Sequence, residues 1–155
     1  MGDVLHRGNR SGVSRSRPAS TPHSRRLDFL VPASAEELSG VRDALGNLGL
    51  PSTVLTDARL LLNELVTNSI RHSGLRPQDQ IRIRAEWSRN RLRVDVFDRA
   101  GERWRTPVVG AIRPPPGARS GWGLYVVDRV ARRWGAGPGR FWFELDVEDE
   151  DRSDA

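Results

Sequence analysis

The sequence predicts an α+β domain: a two-layer α/β sandwich in which helices cover one face of a mainly antiparallel, mixed sheet. Three observations point there. "QIRIRAEWS" and "RLRVDVFD" alternate apolar with charged residues on either side of a short "SRNR" turn, which is the pattern of a hairpin with one face in water. Residues from about Ser52 to Ser73 carry an apolar stripe (Val54, Ala58, Leu61, Leu62, Leu65, Val66, Ile70) at helical spacing. The segments follow one another as β-α-α-β-β-loop-α-β, with no internal repeat.

Each element has its own signal. "RRLDFLVP" reads as a first strand ended by Pro32. Ser34 and Glu37 stand at capping-box spacing, and Leu38, Val41, Leu45 and Leu48 follow in helical steps until Gly49 and Pro51. The long second helix ends at Gly74. In the hairpin, Arg82, Arg84, Arg91, Arg93 and Asp95 should face solvent, while Ile81, Ile83, Ala85, Leu92, Val94 and Val96 should face the helices. Residues 99–120 have no period and contain three consecutive prolines; an irregular stretch of that length in a small domain is a lid candidate. "GWGLYVVDRVARRWG" reads as a helix and "RFWFELDVE" as the last strand, with Trp134 and Trp142 expected in the core.

Composition bounds the function. The chain has 155 residues and no cysteine, which excludes disulfides and thiolate metal sites. No apolar run is long enough to cross a membrane, so a cytoplasmic protein is expected, with no membrane partner. All 25 basic residues are arginine, and the net charge of +5 is uneven along the chain. Residues 1–26 hold six arginines and one acid, whereas 27–155 hold 19 of each sign. The expected organisation is a disordered basic leader over 1–24, one domain over 25–148 and an acidic flexible end over 149–155. A flexible arginine arm would give salt-sensitive, sequence-blind contact with nucleic acid, but nucleic acid is not the expected main partner.

One flank of the second helix is unusual. Glu64, Asn68 and His72 recur at steps of four in "NELVTNSIRHSG", and Glu64 and Asn68 fall on the border of the apolar stripe. A cleft there could hold Mg²⁺, which takes oxygen ligands and keeps several waters, through the Asn68 carbonyl and nucleotide phosphates. Glu64, one turn away, could take a proton from a nucleophile. A capping amide beside a solvated carboxylate is the plain alternative. Asp98 closes a strand and opens the irregular stretch, where it could accept from a base's amino group or simply start a turn. Gly121 and Gly123 open a helix, where free N–H groups favour phosphate oxygens, although a loop-to-helix junction also uses glycine. In this order, within about 60 residues, the pieces specify more together than apart.

The chain resembles the histidine-kinase-like (GHKL) ATPases, and within them the small actinobacterial anti-sigma-factor serine/threonine kinases. "LLLNELVTNSIRHSG" is similar to the N-box, "VDVFDRAG" to the first glycine box, "SGWGLYVVDRVARRWG" to the second and "FWFEL" to the closing strand. The resemblance covers about residues 26–147 and implies a Bergerat-type ATP-binding fold with a lid. It implies that Asn68 holds Mg²⁺ on ATP, that Glu64 is the general base and that Asp98 reads the adenine amino group. It also implies a nucleotide-binding set that includes His72, Gly101, Gly121, Trp122, Gly123 and Leu124. The implied partners are a sigma factor and an antagonist protein phosphorylated on Ser; a homodimer is a further option.

Three departures stand out: Ala100 in a glycine place of the first box, Trp122 between the two glycines, and Arg140 where a small hydroxyl residue normally supports the adenine-reading acid. They leave a second reading open, a non-catalytic ATP-binding or degenerate protein-interaction module of the same fold.

Overall fold

Strict alternation in the hairpin segments sets the sheet, and the sheet sets the core. In this computed structural model the described residues are 24–98, 114–118 and 121–148, less the side chains of residues 72 and 73. The expected leader, the acidic end and most of the expected lid lie outside them. Strand β1 (Arg25–Pro32) pairs with β2 (Gln80–Ser88), β2 with β3 (Arg91–Phe97), β3 with β5 (Arg140–Asp146), and β5 with the edge strand β4 (Arg133–Gly137). Every one of these pairings is antiparallel, so the mixed character expected of the sheet is absent among the described strands.

Three helices complete the fold: α1 (Ala35–Ala44), continued by a 3₁₀ turn (Leu45–Leu48), α2 (Ser52–Ser73) and α3 (Trp122–Val130). The Ser34 hydroxyl accepts from the Glu37 N–H at 3.4 Å, as the capping spacing predicts. Gly49 and Gly74 end their helical segments in the left-handed conformation, φ 72° and 60°.

One core lies between the helices and the sheet. Ala58, Leu61, Leu62, Leu65 and Val66 of α2 are buried against Ile81, Ile83 and Ala85 of β2, Leu92, Val94 and Val96 of β3, and Phe141 and Phe143 of β5. These are the inward positions of the period-two pattern. Each fully buried Leu, Ile, Val or Phe among them contributes about 1.5–3 kcal/mol.

The C-terminal third departs from the expectation. Helix α3 stops at Val130, and Ala131 is already extended (φ −68°, ψ 142°). "RWGAG" then forms β4 rather than a last helical turn. Gly135 and Gly137 are poor helix formers, and the strand gains β5 as a partner. Trp142 is not in the core. It lies on the outer sheet face, 4.2 Å beneath the Arg93 guanidinium. A Cβ on Gly135 would stand 2.7 Å from that indole, so the cross-strand glycine leaves the ring its room. Trp134 packs on the core side, and its indole N–H donates to Asp128 at 2.9 Å.

The outer face is a lattice of guanidinium and carboxylate groups. Asp28 pairs with Arg82 and Arg84, and Asp95 with Arg93 and Arg140. Glu144, only 5 % exposed, meets Arg91 at 3.7 Å, Arg93 at 3.1 Å and Arg133 at 2.8 Å.

Candidate functional site

The polar flank of α2 faces the first turn of α3. A Cβ built on Gly123 would lie 2.6 Å from Glu64 Oε2, 3.3 Å from Asn68 Nδ2 and 3.6 Å from Asn68 Oδ1. The carboxylate and the amide therefore converge on one point, and that point is vacant only because residue 123 has no side chain. Helical spacing brings Glu64 and Asn68 together; packing of α2 on α3 adds the glycine.

Asn68 is 9 % exposed, and its Nδ2 has no hydrogen-bond partner among the described residues. A buried amide group without a partner costs about 1–3 kcal/mol, so a ligand that satisfies it recovers that amount. The two ends of the amide exchange by a half-turn of the side chain, so either can face a ligand. Gly123 lies in the first turn of α3, whose N–H groups have no carbonyl within their own helix. Oxygen-rich anions, with or without a hard cation, suit this donor set. Among the described residues no group of three or more His, Asp or Glu could hold a metal. Glu64 and Asn68 would leave most of a divalent ion's coordination to a ligand's own oxygens, and this donor set fits Mg²⁺ carried by a polyphosphate.

The other expected residues sort plainly. Gly121 caps α3 with φ 88°, a left-handed conformation that glycine takes without strain, and Pro114 Cγ lies 3.6 Å from where its Cβ would be. Trp122 sends its indole N–H to the Ala118 carbonyl at 2.8 Å and stacks edge-on to Tyr125, ring centroids 5.7 Å apart. The indole thus ties segment 114–118 to α3, while Gly123 meets the polar pair. Leu124 packs against the core. His72 lies within α2, but its side chain is outside the described residues, as are Ala100 and Gly101.

Asp98 follows β3, and its N–H donates to the Gly139 carbonyl at 2.9 Å, one step past the Phe97–Arg140 pair. Arg140 does not stand beneath it. Its guanidinium turns to the outer face, where Nη2 lies 2.7 Å and Nε 3.0 Å from Asp95 Oδ1, over the Phe97 ring. The register explains this: Arg140 shares a face with Trp142 and Glu144, whereas Phe141 and Phe143 point inward. Two residues here were not singled out from the sequence. Gly139 touches Asp98, and the Pro–Gly dipeptide before β5 was the available signal. Ser69, fully buried with an Oγ that has no partner among the described residues, had none beyond its place next to Asn68.

Comparison with known proteins bears on the family and the fold. The family model described as histidine kinase-like ATPase domain matches residues 31–139. Among solved structures, the RsbU and RsbW domains of Rv1364c from Mycobacterium tuberculosis superpose with a TM-score of 0.53 at 19% identity. The match covers 80% of this chain and 32% of that one, and at this identity it speaks for the fold. No curated protein matches.

Proposed function

Because the chain belongs to the histidine kinase-like ATPase domain family, we propose that it binds Mg²⁺ and ATP between α2 and α3 and acts as a regulatory serine/threonine kinase of the anti-sigma-factor type. The observation that carries the reading is the meeting of Glu64 and Asn68 at the vacant Cβ position of Gly123. In it, Asn68 offers its amide oxygen to the cation, and the first turn of α3 offers N–H groups to the phosphates. Asp98 accepts from the adenine amino group. Bound Mg·ATP would supply the phosphoryl group and the charge neutralisation that in-line transfer requires.

The chain's own part is proton handling and orientation. Glu64 accepts the hydroxyl proton of a serine on a docked antagonist protein. As the new O–P bond forms, the bond from the γ-phosphorus to the β-bridging oxygen breaks, and ADP leaves. A sigma factor is the second partner in this reading, bound when the antagonist is phosphorylated.

The test is a pair of variants with two separate readouts. Glu64→Gln should keep Mg·ATP affinity and lose phosphoserine formation on the antagonist by about 10²-fold or more. Asn68→Ala should lose the gain in ATP affinity that Mg²⁺ gives the wild type. Wild-type protein with no Mg²⁺-dependent ATP affinity would sink the reading. Firm ATP binding without phosphoserine on an antagonist that binds would leave the second one, a non-catalytic module. The substitutions at Ala100 and Trp122 favour that alternative, since both put side chains where the resembling family has smaller or polar residues.

A further inference from the structure

We propose that Gly139 is a positioning residue for Asp98: the backbone of the β4–β5 turn holds in place the peptide that carries the base-reading carboxylate. The inference rests on the nucleotide reading above. Its starting point is the close approach of that turn to the Asp98 backbone.

Gly139 makes that approach with its backbone. It is buried, with φ 66°, and with Pro138 it forms the two-residue connection between Gly137 and Arg140. Proline followed by a left-handed glycine is the pairing that such a tight turn selects. Its carbonyl accepts the Asp98 N–H at 2.9 Å. From the other side, a Cβ at 139 would stand 2.8 Å from the Asp98 carbonyl oxygen and 3.7 Å from Oδ1. The closest atom is backbone, so no flexible tip can swing aside. Any side chain at 139 must displace the Asp98 peptide, and the carboxylate moves with it.

The consequence is selectivity for the base. A carboxylate that accepts from an exocyclic amino group distinguishes adenine from a base with an oxo group there, because hydrogen bonds weaken steeply with distance and angle. Moving that carboxylate costs discrimination before it costs phosphate affinity. Gly137 provides the control: a Cβ there meets nothing within 4 Å, and its φ is not positive.

Equilibrium binding of Mg·ATP and Mg·ITP to wild type, Gly139→Ala, Gly139→Asn and Gly137→Ala tests this. Asparagine tolerates the left-handed region, so Gly139→Asn keeps the test open if Gly139→Ala does not fold. Both Gly139 variants should lower ATP affinity about tenfold or more while leaving ITP affinity nearly unchanged; Gly137→Ala should keep the wild-type ratio. Without nucleotide, hydrogen exchange at the Asp98 amide should be faster in the Gly139 variants. An unchanged ATP:ITP ratio in folded Gly139 variants, or an equal loss for both nucleotides, overturns the proposal and leaves the nucleotide reading standing. A wild type that binds ATP no better than ITP overturns the base-reading role of Asp98 and the proposal with it.

Discussion

At the scale of single residues, the site depends as much on missing side chains as on present ones. Gly123 leaves the space in which Glu64 and Asn68 meet, and Gly139 lets a turn approach Asp98. The first was legible as a glycine pair opening a helix. The second was not, because its contact with Asp98 depends on strand register. Charge shows the same dependence on neighbours. Hydrogen bonds from Arg82 and then Arg84, with their charges and against some desolvation, lower the Asp28 pKa from 3.8 to about 2. A folded value below the unfolded one means that Asp28 contributes its full stabilisation above about pH 4 and loses it as pH falls toward 2. Asp28→Asn should therefore flatten the acid limb of the stability profile in that window, read from urea midpoints at successive pH values. Wild type and variant falling in parallel below pH 4 would contradict this.

At the scale of elements, β5 carries more of the fold than its seven residues suggest. It pairs with both β3 and β4 and buries Phe141, Phe143 and Leu145 against the helices. Phe143→Ala should cost about 3–5 kcal/mol, seen as a lower urea midpoint with an unchanged slope. A loss below about 1 kcal/mol would mean that the core closes over the gap. Helix α2 and the β2–β3 hairpin were readable because long periodic segments leave little choice of structure. The β4 strand was not. Five residues with two glycines carry no period, and "ARRW" continues the α3 pattern until Ala131 extends and β5 supplies the hydrogen bonds. Trp142 was misplaced for a related reason, since a tryptophan reads as core until the register puts it beside Glu144 on the wet face.

At the scale of the whole molecule, helices gathered on one face leave the other to water, and the chain fills that face with paired charges. Among the described residues, no helix is long and apolar enough to cross a membrane. Glu144 is the buried member of the lattice and links β3 to β4 through Arg93 and Arg133. Glu144→Ala should destabilise the fold by about 1–3 kcal/mol, because Arg93 keeps its charge with one partner fewer. Chemical denaturation measures that loss, and added salt should narrow the difference only slightly, since the carboxylate is screened from solvent. A variant as stable as the wild type would show that Asp95 alone suffices for Arg93. The fold class was legible because alternation, helical period and segment order agreed, whereas the direction of each outer side chain required knowing which strands are neighbours.

Every cation of that outer lattice is a guanidinium, and the sequence contains no lysine at all. Guanidinium stays protonated to beyond about pH 12, so alkaline conditions that discharge amines leave these pairs intact. Acylating reagents aimed at lysine, and enzymes that acetylate or ubiquitinate it, find no side-chain amine on this face to act upon. Chemistry that modifies the surface must instead be directed at arginine or at the carboxylates it holds.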